Sequence, residues 1–269
     1  MFQDIENRGL VLLGCGKMGS AMLAGWLARG LSPTSVWVLD PHPSDWVKDI
    51  GVNLNAGVPD NPAIALVAVK PQMMGDGLPV LTALGNGSTI FLSVAAGTPI
   101  SALMAALGED TPIVRAMPNT PAAVGKGITA IIGNDRVDTG DLDLAEALLS
   151  AVGQVVRIDD ESQMDAVTAV SGSGPAYVFH LIETLAAAGV AQGLSPELSM
   201  QLAKATVAGA GVLAEQAVED PAQLRINVTS PAGTTAAALE VLMDETDGFP
   251  PLLQRAVRAA ADRSRELGK

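Results

Sequence analysis

The chain has 269 residues, of which 48% are hydrophobic but only 3% aromatic, and its formal net charge at pH 7 is −13. Nucleic acids and anionic membranes are bound through positive surfaces, so this charge argues against both as partners. One cysteine and two histidines exclude an internal disulfide and a cysteine-based zinc site, and we expect no metal. No apolar run approaches the roughly 18 residues of a membrane span, and the N-terminus lacks a signal-peptide pattern, so we expect a cytoplasmic protein.

A glycine-rich turn follows the first predicted strand, at residues 10–13. The turn contains Gly14, Gly16 and Gly19 in the spacing G-x-G-x-x-G, and a helical pattern follows it. Gly14 suits a tight turn, Gly16 lets the backbone approach a pyrophosphate, and Gly19 lets the helix pack closely on the strand. The N-terminus of that helix offers N–H groups to the phosphates. We therefore predict that a dinucleotide is bound by Gly14, Cys15, Gly16, Lys17, Met18 and Gly19.

The second predicted strand, at residues 36–40, ends in the acidic residue Asp40, about 20 residues beyond the turn. A carboxylate at this position accepts hydrogen bonds from the ribose hydroxyls of NADH and repels the 2′-phosphate of NADPH. No Lys or Arg occurs between Asp40 and Val47, which favours NADH. His42 and Ser44 are the groups in this segment that still accept a phosphate.

Further apolar strands alternate with helices through about residue 158. The clearest lie at residues 64–69, 89–97 and 113–117, and the second of them leads into a helix with Thr98 as the expected N-cap and Pro99 at the first helical position. This alternation predicts a doubly wound, mostly parallel sheet of the Rossmann type. Ligands gather at the C-terminal ends of such strands.

The strand signals stop after residue 160, and helical patterns continue to the end of the chain. We therefore predict a dinucleotide-binding domain at residues 1–160 and an all-helical domain for substrate binding and dimerisation at residues 161–269. Small residues at 185–191 and 203–214 let helix backbones approach closely. They suit either the domain's own core or a helix bundle shared with a second subunit.

Two glycine- and proline-containing clusters, at residues 171–177 and 228–235, interrupt the helical half. Each leads into a predicted helix, so each offers hydroxyls and backbone N–H groups to a carboxylate or phosphate. The first is read equally well as a capping turn. The second places the hydroxyls of Ser230, Thr234 and Thr235 around one glycine, which is more than a cap needs. Hydrolytic motifs are absent from the sequence, so reduction of a small carboxylate by a bound nicotinamide fits best.

The motifs taken together resemble the pyrroline-5-carboxylate reductase family. They are G-x-G-x-x-G at 14–19, A-V-K-P-Q at 68–72, R-x-M-P-N-T-P at 115–121, S-G-S-G-P-A-Y at 171–177 and T-S-P-x-G-T-T at 229–235. The resemblance implies a Rossmann domain, a helical domain that forms a homodimer, and often a ring of dimers. It also implies hydride transfer from NADPH or NADH to carbon 5 of the cyclic imine 1-pyrroline-5-carboxylate, giving L-proline in the last step of proline biosynthesis.

The resemblance also implies roles for individual residues. The substrate carboxylate is held by Ser230 and by N–H groups around Gly233 and Thr234, while the Thr235 hydroxyl meets the ring nitrogen. Lys70 is the one charged catalytic candidate near the nicotinamide, and a structural role at the strand end is its alternative. The implied residues lining the cofactor are Asn55, Ala68, Val69, Lys70, Pro71, Ala95 and Ala96. Ala232 stands where the family usually has glycine, which narrows the conformational freedom of the turn.

Two other classes of function remain open from the sequence. One is a related Rossmann enzyme, such as a β-hydroxyacid dehydrogenase or another imine reductase. The β-hydroxyacid enzymes rely on a lysine in the helical domain, and Lys204 is the only lysine between Lys126 and Lys269, without a matching motif. The other is a non-catalytic dinucleotide sensor, which has no need for the hydroxyl cluster at 230–235.

Overall fold

The computed structural model of the protein describes residues 2–268. Within this range, eight strands form one sheet in the order β3-β2-β1-β4-β5-β6-β7-β8. Neighbouring strands are parallel except for the antiparallel pair β6 and β7. The doubly wound, mostly parallel sheet predicted from the sequence is therefore confirmed. The strands are β1 Leu10–Leu13, β2 Val36–Leu39, β3 Asn53–Leu54, β4 Ile64–Val67, β5 Ile90–Ser93, β6 Ile113–Met117, β7 Gly127–Gly133 and β8 Gly153–Arg157.

Twelve α-helices accompany the sheet within residues 2–268. The six in the first part of the chain are α1 Gln3–Arg8, α2 Lys17–Ala28, α3 Asp45–Asp49, α4 Met74–Gly77, α5 Ile100–Leu107 and α6 Thr139–Leu149. The other six are α7 Met164–Val167, α8 Gly174–Ala191, α9 Pro196–Gln216, α10 Pro221–Asn227, α11 Thr234–Leu242 and α12 Phe249–Leu267. Among them, none is both long enough and apolar enough to span a membrane.

The central strands are apolar throughout because both faces of the sheet are covered. Leu10 and Leu12 of β1 belong to the cluster that includes Trp26 of α2. Val11 and Leu13 point to the opposite face and join the other core cluster. The Trp26 indole is fully buried, and its N–H donates to the Leu148 carbonyl at 2.9 Å. This two-sided burial explains the continuous apolar runs and fixes the strand ends that carry the candidate site.

The chain divides into two compact units. The first runs through Gly172 and resumes at Ala261, and the second is Ser173–Ala260. Residues just beyond 160 belong to the first unit because their apolar side chains are buried there, as Met164 and Ala169 show. The predicted boundary between a dinucleotide-binding domain at residues 1–160 and a helical domain at residues 161–269 stays a prediction.

Two local predictions differ from the structure. The expected N-cap Thr98 is replaced by Pro99, and α5 begins at Ile100. The cluster at 171–177 was expected to interrupt the helices, but the π-helical turn Thr168–Gly172 continues α7 almost to the start of α8. The Ser171 carbonyl accepts a hydrogen bond from the Asn119 side chain at 3.2 Å. This bond gives a partner to a carbonyl in the π-helical turn, and such turns are frequent at functional sites.

The second unit is built around the antiparallel crossing of α8 and α9, where small side chains allow close approach. The Ser199 hydroxyl is buried and donates to the Ala186 carbonyl at 2.6 Å. A methyl group added to Gly189 would clash with that hydroxyl. Part of the small-residue pattern thus serves this unit's own core. Many large apolar side chains of the unit are nevertheless exposed, among them Phe179, Leu185, Leu202, Val212, Leu213 and Val241.

Candidate active site

The glycine turn between β1 and α2 has the geometry of a phosphate-binding turn. Gly14 has a φ of +86°, and a β-carbon on Gly19 would lie 2.5 Å from the Gly14 carbonyl oxygen. Both positions therefore require glycine. A β-carbon on Gly16, the N-cap of α2, would meet no atom within 4 Å, so the turn presents open space at the helix N-terminus. A bound pyrophosphate fits this arrangement of accessible backbone and helix dipole.

Asp40 is fixed against the glycine turn by two backbone hydrogen bonds. Its Oδ2 accepts from the Cys15 N–H at 2.7 Å, and its Oδ1 accepts from the His42 N–H at 2.8 Å. Asn55 holds the backbone of the same residue, because its side chain accepts from the Asp40 N–H and donates to the Asp40 carbonyl at 3.0 and 2.9 Å. Each carboxylate oxygen keeps a second lone pair. The predicted residues Asp40 and Asn55 thus lie together beside the predicted phosphate turn.

The ends of β4 and β5 complete this edge of the sheet. The Ala68 N–H donates to the Leu13 carbonyl at 2.8 Å, and a β-carbon on Gly14 would lie 2.9 Å from Val69 Cγ1. Lys70 and Pro71 follow and are exposed. In the neighbouring loop, Ala95 is buried and Ala96 is exposed. The sheet order β2-β1-β4-β5 therefore brings the predicted cofactor residues to one edge, at the point where the strand order reverses.

Cys15 lies inside this turn as a buried thiol. Burial raises the pKa of Cys15, the nearby Asp40 carboxylate raises it further, and the hydrogen bond with Ser20 lowers it. The thiol therefore stays protonated near neutral pH and is a poor nucleophile. Its contribution to the site is its backbone N–H, which holds Asp40. Among residues 2–268, no cluster of three or more His, Cys, Asp or Glu side chains is arranged to hold a metal ion.

The candidate substrate loop, residues 229–235, lies in the second unit ahead of α11. The Gly233 N–H donates to the Ser230 carbonyl at 3.0 Å, so it closes the turn. The first helical bond of α11 runs from the Ala237 N–H to the Gly233 carbonyl at 3.2 Å, which leaves the first-turn N–H groups of Thr234 and Thr235 ahead of it. The Ser230 and Thr234 side chains are exposed, and Thr235 is half-buried. Hydroxyls and N–H groups are thus grouped at one helix N-terminus.

Ala232 adopts a left-handed backbone conformation, with a φ of +56°. This conformation costs an L-residue other than glycine roughly 1–2 kcal/mol. We expect Ala232→Gly to stabilise the protein by about 0.5–1 kcal/mol, because part of the gain is lost to the greater freedom of glycine in the unfolded chain. Thermal unfolding measures the change as a rise in Tm.

The matched control for this substitution is Ala237→Gly, at an exposed position within α11. Glycine there is expected to lower stability by about 1 kcal/mol. Equal destabilisation by both substitutions would show that Ala232 is unstrained in the protein.

The motif at 115–121 contains polar residues for which no role was predicted from the sequence. Arg115 and Asn119 are both buried. Arg115 pairs with Glu161, and the Asn119 side chain accepts from the Ile128 N–H at 3.0 Å in addition to its bond with Ser171. The sequence contained one sign of this arrangement: Arg115 lies within an apolar strand, and a buried charge requires a partner of opposite charge.

Two protein-family models match the chain. The model described as "Pyrroline-5-carboxylate reductase dimerisation" matches residues 161–267, and the model described as "NADP oxidoreductase coenzyme F420-dependent" matches residues 10–97. The second match covers the glycine turn and all the predicted cofactor residues through Ala96. The first covers the candidate substrate loop.

Individual proteins are similar over nearly the whole chain. A pyrroline-5-carboxylate reductase of Synechocystis sp. is 43% identical over 272 residues, which cover 97% of this chain and 98% of the relative. The structure of a pyrroline-5-carboxylate reductase from Coxiella burnetii matches with a TM-score of 0.90 at 33% identity, over 97% of this chain and 99% of that one. The crystal structure of Plasmodium falciparum pyrroline carboxylate reductase with NADP bound matches with a TM-score of 0.84 at 31% identity, over 98% and 99% of the two chains.

Proposed function

The chain belongs to the pyrroline-5-carboxylate reductase family and is an NAD(P)H-dependent oxidoreductase, and we propose that it reduces 1-pyrroline-5-carboxylate to L-proline with the residues of the two sites described above. The observation that supports this assignment most directly is the loop at 229–235. Its hydroxyls and first-turn N–H groups suit a small carboxylate, and the edge of the sheet suits a dinucleotide.

The cofactor site uses the glycine turn and the ends of β2, β4 and β5. NAD(P)H supplies the hydride that reduces carbon 5 of the imine. The turn from Gly14 to Gly19 holds the pyrophosphate through backbone N–H groups, since the negative net charge of the protein does not attract it. Asp40 and Asn55 hold the adenosine ribose. The nicotinamide half of the cofactor is lined by the residues that follow β4 and β5, namely Ala68, Val69, Lys70, Pro71, Ala95 and Ala96.

The substrate site uses the start of α11. The carboxylate is held by the Ser230 hydroxyl and the N–H groups of Thr234 and Thr235, while Gly233 shapes the turn with its own N–H already donated. The Thr235 hydroxyl meets the ring nitrogen. The imine is protonated by solvent to an iminium before it binds, so hydride transfer to carbon 5 needs no dedicated general acid. Lys70 is then a charged residue beside the nicotinamide, in either a catalytic or a structural role.

We propose that NADH is the preferred cofactor. The Asp40 carboxylate faces the turn with two backbone N–H partners, which fixes its charge where the 2′-phosphate of NADPH would lie. His42 and Ser44 are both exposed and are the groups that would otherwise accept that phosphate. The Plasmodium falciparum pyrroline carboxylate reductase, whose structure contains NADP, is the relative with which this cofactor preference should be compared.

The exposed apolar side chains of the second unit support assembly through the helical part, residues 161–269. The chain forms a homo-oligomer through its dimerisation domain. We propose a homodimer as the unit of assembly, with a ring of such dimers as the larger form. The cytoplasmic location expected from the sequence stays a prediction.

The function is tested by following oxidation of NADH and of NADPH, separately, by the purified protein with pyrroline-5-carboxylate. We expect turnover with both cofactors, a higher kcat/KM with NADH, and proline as the product. A preference for NADPH would support the assigned activity and would overturn the proposed role of Asp40 in selecting NADH. Cofactor binding by folded protein without turnover would instead favour a sensor or another imine substrate.

A further inference from the structure

The loop at residues 94–99 joins β5 to α5 and contains Ala95 and Ala96. Its far end is the N-terminus of α5, where Pro99 occupies the N-cap position and makes no side-chain cap. A helix start commonly takes an acceptor for its first N–H groups from a Ser, Thr, Asp or Asn at the N-cap. Pro99 therefore offers no side-chain acceptor to the first N–H groups of α5.

Glu161 supplies that acceptor from 61 residues further along the sequence. Its Oε1 accepts a hydrogen bond from the Ile100 N–H at 2.9 Å. The same oxygen accepts from Arg115 Nη1 at 2.6 Å. Glu161 begins a short 3₁₀ turn that follows β8, and Arg115 lies on β6. One carboxylate oxygen thus connects β6 to the start of α5.

The charges around Glu161 fix its position. The Arg115 side chain is 9% exposed and the Glu161 side chain is 32% exposed. A buried guanidinium near the positive end of a helix dipole is unfavourable without a counter-charge. The Glu161 carboxylate neutralises the guanidinium and the helix end. If it turned toward solvent, both positive charges would be left uncompensated.

The same loop is packed at Gly97 against the last turn of α12. Gly97 has a φ of +74°, and a β-carbon on it would lie 3.4 Å from Leu267 Cβ. That turn is itself anchored, because the buried Ser264 hydroxyl hydrogen-bonds with Asp165 Oδ1 at 2.6 Å. The position of the loop is therefore set by contacts from outside it, and Glu161 provides the charged one.

We propose that Glu161 is a positioning residue for hydride transfer, because with Arg115 it fixes the loop at 94–99 so that Ala95 and Ala96 hold the nicotinamide ring in one orientation. This proposal rests on the proposed function, which places the nicotinamide at that loop. Glu161 acts through the loop and not by touching the cofactor. The adenosine half, bound at the glycine turn and Asp40, does not depend on it.

The experiment compares NADH with ADP-ribose, which has the adenosine half but no nicotinamide. In the full chain, we expect Glu161→Ala to weaken NADH binding about tenfold and to lower kcat, while the Kd of ADP-ribose changes less than about twofold. Glu161→Gln keeps an oxygen acceptor for the Ile100 N–H and should lose only about threefold for NADH. Gln163→Ala, on the same turn and exposed, is the matched control and should leave both Kd values unchanged.

An equal loss for NADH and ADP-ribose, or no loss for either, would overturn the positioning role. If Glu161→Ala does not fold, Glu161→Gln decides by the same ratio. Ala96→Leu, at an exposed position, separates this proposal from the proposed function. If it leaves NADH binding unchanged, the nicotinamide does not lie at this loop. If it weakens NADH binding while the Glu161 variants do not, only the role of Glu161 is wrong.

Discussion

Replacing Thr235 by valine is expected to lower kcat for pyrroline-5-carboxylate reduction about a hundredfold, with little change in the Kd of NADH. Valine keeps the size of threonine but removes the hydroxyl proposed to meet the ring nitrogen. Removing one such preorganised polar group from a reacting centre commonly costs 10²–10³ in kcat. Steady-state kinetics and fluorescence titration of NADH measure the two quantities on the same preparation.

Thr235→Ser restores the hydroxyl and should recover most of the rate, which separates hydrogen bonding from packing. Thr246→Val, at an exposed threonine outside the loop, is the control for the substitution itself and should leave kcat unchanged. If Thr235→Val retains full turnover, the hydroxyl plays no part in the reaction. If Thr235→Val also lowers the affinity for NADH, the substitution disturbs the folded protein and does not act through the contact with the substrate.

The sequence predicted the part of the fold that depends on local pattern. The strand, turn and helix around Gly14 are found at residues 10–28, because buried parallel strands and glycine spacing are local signals. Ala232, expected to narrow the conformational freedom of its turn, nevertheless adopts a positive φ. Helix α10 is not resolved by the sequence as a separate element, although Asp220 and Pro221 begin it with an ordinary cap, in which the Asp220 side chain accepts from the Gln223 N–H at 2.8 Å. Its seven residues were too few to produce a periodic pattern.

Features held by distant residues were beyond sequence reasoning. The start of α5 was misplaced by one residue because its acceptor is Glu161, which no local window includes. The cluster at 171–177 was expected to interrupt the helices, since its glycine and serine residues resemble turn residues; the π-helical turn Thr168–Gly172 that includes its first two residues has its partner Asn119 far away in sequence. The candidate site residues lie on the predicted elements, but their bonds to one another, such as Asp40 with the Cys15 N–H, needed the folded chain.

The last prediction concerns the choice of cofactor at Asp40. We expect Asp40→Asn to shift the ratio of the Kd values for NADPH and NADH toward NADPH by at least about tenfold. Asparagine keeps an oxygen acceptor for one of the two backbone N–H groups, while the charge that repels a 2′-phosphate is removed. Adding His42→Arg should strengthen NADPH binding by about a further tenfold, since arginine pairs with phosphate through two parallel hydrogen bonds.

Asp49→Asn is the control for this charge, because it removes an exposed carboxylate from α3 without touching the glycine turn. It should leave the Kd ratio unchanged. The dependence on salt adds an independent measurement: the discrimination of the unmodified protein against NADPH should fall as ionic strength rises, because charge repulsion is screened. A Kd ratio that Asp40→Asn does not alter would mean that Asp40 holds the glycine turn in shape and takes no part in the choice between NADH and NADPH.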